Sequence, residues 1–497
     1  MRGVITDLVY NASQRFGDAI AISVPGGRSL TFREIDDLAG RFAGGLLRLG
    51  VNRGDRVILH LPNSLDWVVA YHGIARLGAV VIPANILLSS AEITYMAQDT
   101  DAVAAILSPE KAATDVGSAR KIVPGGSEGA LRLEDLLEED WLEPADMNGD
   151  DLFTIAYTSG TTGKPKGAML THGNIFASVA MTATIHVRTM HDCVYSALPF
   201  PHVYGNVVMN AIFLTGSRLI APARFDPAAA LEGIAQEKVT LFEGVPTMYY
   251  QMLAHPDIAT ADLTSLTRCT VGGQTMPVAK LEAASERFGC PMLELWGMTE
   301  LGGPATSHSP WWPARYGSIG LPFPQTEVRI AGTDADDTAG SSGELMVRGP
   351  LVTQGYWNNP EATAEVLDAE GWFATGDIAR IDEEGYLYIL DRKKDMILTA
   401  GYNVYPAELE QVIAMHPAVS MVAVAGRPDD EKGEVAEAFI VLHRDANIDA
   451  EEVVSHCRGH LAAYKVPRGI HFVDDLPKTS TGKIMRRALF QNLVSAE

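Results

Sequence analysis

Residues 157–167 read YTSGTTGKPKG, with three glycines, two lysines and five hydroxyl-bearing side chains set directly behind the apolar run LFTIA at 152–156. Two readings compete. As a phosphate cradle, the glycines let backbone N–H groups approach oxygens closely, while hydroxyls and ammonium groups add donors and charge. As a linker, the same composition is a solvated turn. Position favours the cradle, because 152–158 has the length and apolar content of a buried strand and mobile linkers seldom follow one in mid-domain. Open α/β sheets bind ligands at the carboxyl ends of their strands. The loop is not a Walker-type P-loop, since only two residues separate Gly160 from Gly163 and Lys164 is followed by Pro165.

Outward from this loop, helical and strand patterns alternate up to about residue 220. FREIDDLAGRFAGGLLRLG (32–50) is amphipathic with a glycine stop, and DRVILHLP (55–62) is a short buried strand. WVVAYHGIARLGA (67–79) leads into VVIPAN (80–85), and AEITYMAQDTD (91–101) into AVAAILS (102–108). Parallel strands joined by helical crossovers follow, a doubly wound α/β architecture. Between 311 and 390 the texture changes to short β-rich pieces, TEVRIAG, GELMVRG and GYLYIL, which predict a small β-barrel-like module. After DRKKD (391–395), helix (406–417), strand (420–427), strand (434–443) and helix (451–465) patterns predict a compact, mobile α+β domain. The expected division is an N-terminal domain 1–390 that contains the module 311–390, a hinge at 391–394, and a C-terminal domain 395–497.

With 497 residues, 47% of them apolar, the chain can bury a core spanning several folding units. Its formal charge of −23, from 62 acidic against 39 basic residues, opposes general attraction to nucleic acid or anionic lipid. An anionic substrate therefore needs local basic islands, for which KPK (164–166) and DRKKD are candidates. Cys193, Cys269, Cys290 and Cys457 form no CxxC pair, which argues against structural zinc and a disulfide framework and for buried free thiols. The N-terminal stretch lacks a signal-type apolar core, and the most apolar window, 67–83, is interrupted by His72, Arg76 and Pro83. No membrane span is expected, and a reducing cytoplasm is the simplest location.

The opening loop does not stand alone. LPFPHVYG (198–205), VGGQTMP (271–277), WGMTE (296–300), TGD (375–377), DRKKDMI (391–397), GYNVYPAELE (401–410) and PKTSTGKIMRR (477–487) follow it in order. Together these segments resemble the adenylate-forming enzymes, the superfamily of acyl-CoA synthetases, luciferases and the adenylation domains of peptide synthetases. The resemblance covers essentially the whole chain. It implies a reaction in two halves: a carboxylate attacks the α-phosphate of ATP to give acyl-AMP and pyrophosphate, and a thiol then displaces AMP. Both halves call for electrostatic stabilisation and positioning more than for acid/base chemistry.

By this resemblance Thr158, Ser159, Gly160, Thr161, Thr162, Gly163 and Lys166 hold the β- and γ-phosphates. Thr299 donates to the α-phosphate, and Glu300 holds Mg²⁺, a hard cation suited to carboxylate and phosphate oxygens. Gly272, Gly273 and Gln274 line the adenine site, and Trp296, with Gly297 and Met298 behind it, faces the base where many relatives have tyrosine. Asp377 grips the ribose hydroxyls with Arg392 beside it. Lys483 is the implied catalytic residue, bridging the acyl carboxylate and the α-phosphate from the C-terminal domain. Lys394 matches the family hinge, about which the small domain turns for the second half. Gly401 and Tyr402 then border the thiol's approach, although Ala400 stands where the family commonly has glycine. His202 is read either as a gate to the acyl pocket or as a buried, satisfied histidine.

HVYGNVVMNAIFLTG (202–216) and LFEGVPTMYYQML (241–253) are mostly apolar and are expected to furnish the acyl pocket, with Tyr204, Val207, Met248 and Tyr249 as lining. No strongly charged recognition is read there. An apolar carboxylic acid follows, a medium- or long-chain fatty acid first and an aryl acid of the cinnamate or benzoate type as the alternative. No carrier-protein domain is expected after PKTSTGK, so coenzyme A is the economical thiol. A stand-alone enzyme loading a carrier protein is the rival, and a homodimer is left open.

Overall fold

At the start of the helix Phe32–Arg48, Thr31 and Glu34 cap one another: the Glu34 N–H donates to Thr31 Oγ1 at 3.1 Å and the Thr31 N–H to Glu34 Oε2 at 2.8 Å. The expected stop is real, with Gly50 left-handed at φ +88°. The helix Leu65–Leu77 likewise ends on left-handed Gly78. The two helices cross at Gly73, where a Cβ would stand 2.7 Å from Phe42 Cδ1. These details come from a computed structural model that describes residues 3–158, 165–332, 342–400, 402–429, 431–444, 446–479 and 483–490.

Among the described residues four sheets form. The first runs Leu131–Arg132, Arg120–Val123, Ala104–Leu107, Arg56–His60, Val80–Pro83, Leu152–Thr158 and Lys166–Thr171. Its strands are parallel except for the last pair, Leu152–Thr158 and Lys166–Thr171, which run antiparallel. The second sheet has a parallel centre, Met292–Met298, Arg268–Val271, Leu241–Gly244, Cys193–Ser196, Arg218–Ile220 and Ile20–Ser23, with antiparallel strands added at both edges. One large apolar core joins both sheets. The helix Val203–Thr215 is buried over nearly all its length, which matches a sequence apolar on every side.

The β-rich region contributes Glu327–Ile330, Ser342–Arg348, Phe373–Ile381 and Leu387–Arg392, an antiparallel sheet that is open among the described residues where a barrel-like module was expected. The C-terminal part is a sheet built on the long hairpin Val419–Asp429 and Gly433–Leu442, packed by the helices Pro406–Ala414 and Ala450–Arg458. The last helix stops at Arg458, short of the expected 465, because Gly459 caps it with its N–H shared among the final carbonyls. A large N-terminal domain thus precedes a small C-terminal one. They touch where Val278 N–H donates to Gln411 Oε1 at 2.9 Å and Lys280 Nζ donates to the Val419 carbonyl at 2.5 Å. No helix among the described residues is long and apolar enough to cross a membrane. All four cysteines are free, three of them buried, and Cys269 and Cys290 hold their sulfurs 3.7 Å apart.

Candidate active site

VGGQTMP and WGMTE stand at the carboxyl ends of neighbouring parallel strands. Strand Arg268–Val271 delivers Gly272 and Gly273; strand Met292–Met298 delivers Trp296 to Met298 and then the single turn Thr299–Leu301. Both first glycines of these segments are required by packing. A Cβ on Gly272 would lie 2.3 Å from Leu295 Cδ1, and one on Gly297 would lie 2.0 Å from the Gly303 carbonyl oxygen. Met298 packs with Trp296 against the core beneath the third sheet.

Lys483 reaches this rim from the other domain. Lys478 and Ile484 form an antiparallel bridge, and the Thr479 N–H donates to the Lys483 carbonyl at 2.7 Å. Gln274 seizes the next residue with both ends of its amide, accepting from the Ile484 N–H at 2.9 Å and donating to the Ile484 carbonyl at 3.4 Å. A Cβ on Gly273 would meet Lys483 Cε at 3.3 Å and Val245 Cγ1 at 3.4 Å. Burial lowers the ammonium to about 8, helped by the Arg392 charge and opposed by Asp377 and Glu300. His202 is half-buried; desolvation and then the neighbouring Lys483 charge lower it to about 3, so it is neutral near pH 7. Its Nδ1 accepts the Tyr204 N–H at 3.3 Å at the start of the helix Val203–Thr215, which leaves the proton on Nε2.

Asp377 and Arg392 are direct cross-strand partners, with Nε and Oδ1 3.2 Å apart. The Trp296 indole N–H donates to Asp377 Oδ2 at 2.8 Å, so a tryptophan here keeps a polar tie as well as a flat face. Burial raises the Asp377 carboxyl, with Arg392 as the main opposing influence. Glu300 is buried too and raised for the same reason; it accepts from Tyr356 OH at 2.9 Å. Lys166 Nζ lies 5.2 Å above the same tyrosine ring, and Thr158 Oγ1 donates to the Lys166 carbonyl at 3.4 Å. Tyr356 therefore joins the lysine and carboxylate expected to face phosphates. Sequence reasoning passed over it; its setting in GYWNNP (355–360), a glycine-led aromatic pair, was the available signal. Thr299 is half-buried at the head of its turn. Ser159, Gly160, Thr161, Thr162, Gly163 and Gly401 lie outside the described residues.

The region expected to act as hinge is tied by Arg486. This guanidinium holds Glu410 at 2.8 Å, Asp395 at 3.4 Å and Asp391 at 3.7 Å, while Asp391 also accepts the Ala407 N–H at 2.9 Å. Burial pushes the Asp391 carboxyl up to about 6 against the pull of Arg486. Lys394 is exposed between these carboxylates. Tyr402 is exposed as well, stacked on Tyr464 with ring centroids 4.6 Å apart, and is not gathered at the nucleotide rim in this arrangement.

Tyr204, Val207 and Met248 share the core between the two large sheets. Tyr249 does not. One residue further along its helix, it turns through the sheet's other face to pack with Phe242 and Phe288 and donates to the Thr270 carbonyl at 2.5 Å. Glu243, from the second of these segments, is fully buried and paired with Arg188.

Comparison with known proteins identifies the family. The family of AMP-binding enzymes matches residues 9–357, and the AMP-binding enzyme C-terminal domain matches residues 408–483. A feruloyl-CoA synthase from Amycolatopsis sp is 38% identical over 466 residues, covering 93% of each chain. The long-chain-fatty-acid–CoA ligase of Bacillus subtilis (strain 168) is 35% identical over 536 residues, 99% of this chain and 94% of that one. The crystal structure of ATP-bound MatB from Rhodopseudomonas palustris superposes with a TM-score of 0.90 at 31% identity, covering 99% of both chains. The chain belongs to the adenylate-forming AMP-binding enzymes, on their acyl-CoA synthetase branch.

Proposed function

We propose that the protein activates a largely apolar carboxylic acid with ATP and transfers the acyl group to coenzyme A, with Lys483 as the residue that joins the two reactants. In the first half a carboxylate oxygen forms a bond to the α-phosphorus while the bond to pyrophosphate breaks. The Lys483 ammonium lies between the two negative groups and lowers their repulsion. Thr299 donates to the α-phosphate, and Asp377, steadied by Trp296 and Arg392, takes the ribose hydroxyls. Thr158, Lys166 and the loop between them clamp the departing phosphates.

In the second half the thiol sulfur attacks the acyl carbon, its proton leaves, and AMP departs with the bonding electrons. We assign the pivot to residues 391–394, with Lys394 at its centre, so that rotation withdraws Lys483 and turns the Tyr402 face inward. Glu300 would hold a magnesium ion: it is a buried carboxylate whose Oε1 accepts from Tyr356, and carboxylate oxygens suit a hard cation. Such an ion neutralises phosphate charge when bound.

The observation that carries the reading is the seating of Lys483 by Gln274 beside Gly273, within reach of the charges of Asp377 and Glu300. Incubation with ATP, Mg²⁺, CoA and a panel of apolar acids, read by mass spectrometry, should yield acyl-CoA and AMP. Accumulation of acyl-AMP without acyl-CoA would instead point to a carrier-protein thiol.

A further inference from the structure

Between the helix Val203–Thr215 and the strands Leu241–Gly244 and Arg268–Val271 lie buried polar groups that the reaction above does not use. Arg188 Nη2 stands 2.7 Å from Glu243 Oε1 and 2.9 Å from Oε2, and neither side chain is exposed. Thr270 Oγ1 donates to Glu243 Oε2 at 3.1 Å, and Tyr204 OH lies 2.6 Å from Thr270 Oγ1, so the tyrosine proton is directed to the threonine. The pair is incompletely satisfied. Arg188 Nε and Nη1 have no hydrogen-bond partner among the described residues, and Glu243 Oε1 accepts no directed hydrogen bond.

A neighbouring arginine shows what a purely structural pair looks like in the same region. Arg268 uses every nitrogen: Nε donates to the His186 carbonyl at 2.7 Å, Nη1 to Asp192 and Thr267, and Nη2 to Asp192 and the Val187 carbonyl. A buried guanidinium that leaves two of its three nitrogens unmet costs stability. Such an arrangement is suited to a ligand that completes it.

Its depth is suitable as well. Val245 stands at the level of Lys483, as does Gly273. Glu243 precedes Val245 by two residues and Thr270 precedes Gly273 by three, which at about 3.3 Å per strand residue puts the pair roughly 7–10 Å below the reacting carboxylate. That is the reach of an aromatic ring on a short arm, not of a long alkyl chain. The Arg188–Glu243 pair is neutral as a unit, and so is Arg268–Asp192, so a neutral group fits better than a second carboxylate.

We propose that the acid carries a hydroxyl at its far end, as a hydroxyaryl acid does, and that Arg188 and Glu243 read it as specificity determinants. The free guanidinium N–H donates to the hydroxyl oxygen and Glu243 Oε1 accepts its proton. This rests on the acyl-CoA synthetase reading and narrows its substrate class.

The test compares 4-hydroxycinnamate, cinnamate and hexadecanoate with the full chain, ATP, Mg²⁺ and CoA, reading kcat/KM for AMP release. A site that hydrogen-bonds a hydroxyl strongly rejects its absence, so the hydroxylated acid should lead cinnamate by about a hundredfold or more. Removing both charges together avoids stranding one, and Arg188→Met with Glu243→Leu should bring that ratio within about fivefold. A wild-type ratio near one, a preference for hexadecanoate, or an unchanged ratio in the double variant would overturn the proposal. If the double variant does not fold, the wild-type ratio decides. Failure of every acid to support ATP–pyrophosphate exchange would overturn the underlying synthetase reading, and this proposal with it.

Discussion

Adenylate formation should fall as pH climbs through about 8, because the Lys483 ammonium is lowered to about that value by burial. Only the protonated lysine can lie between a carboxylate and a phosphate to advantage. Roughly nine-tenths of the free enzyme carries that charge at pH 7 and about one-eleventh at pH 9, which predicts about a tenfold loss of kcat/KM. His202 does not add a limb in this range, since it is lowered to about 3. Stability runs the other way. A lysine released into water keeps its proton up to about 10.5, whereas the seated one loses it near 8, so seating of this segment strengthens as pH rises between those values. Loss of activity in that window cannot then come from undocking. The assay is acid-dependent ATP–pyrophosphate exchange from about pH 6.5 to 9.5, set beside thioester formation from supplied acyl-AMP. Lys483→Ala should cost exchange about 10²–10³-fold while sparing the thioester step, and Lys483→Arg should carry its plateau past pH 9 because guanidinium does not titrate there. A flat wild-type exchange profile to pH 9.5, or equal losses in both half-reactions, would refute the role given to Lys483.

Lys394→Pro, by fixing one backbone angle at the proposed pivot, should leave pyrophosphate exchange standing while overall acyl-CoA turnover drops about a hundredfold; normal turnover would remove the pivot from that residue. Gly297→Ala would drive a methyl group against the Gly303 carbonyl, 2.0 Å from the new carbon. About 3 kcal/mol of destabilisation should follow, with weakened ATP binding by calorimetry; an unperturbed variant would show that the two strands part easily there.

Much of this organisation is legible in the sequence because local rules and tertiary structure agree. The glycine stops at Gly50 and Gly78 and the apolar strands behind them obey short-range chemistry that a sequence displays directly. The candidate rim around Lys483 was readable for another reason: its residues occur in ordered motifs. What escaped notice depends on distance along the chain. Glu243 sits in an apolar strand and looks incidental until Arg188, 55 residues earlier, is seen beside it. Tyr249 follows Met248 immediately yet faces another core, a difference of one helical step that composition cannot resolve. Tyr356 and Arg486 act through partners 56 and 76 positions away, Glu300 and Glu410. The open edge of the third sheet was hidden because short β-rich segments read alike in sheets and barrels.

Arg486 grips carboxylates on both sides of the proposed pivot. If the small domain turns about that pivot, Glu410 and Asp395 would travel with the arginine, whereas Asp391 would stay with the large domain. On that rotation the Arg486–Asp391 ion pair and the Ala407 N–H bond to Asp391 would break, together with the Val278–Gln411, Lys280–Val419 and Gln274–Ile484 bonds. Arg486 would therefore act as a catch on Asp391, one of several contacts that hold this arrangement. Because Asp391 is buried, dissolved salt reaches that pair poorly. The hold of that pair should then vary little across ionic strengths that would loosen a surface ion pair.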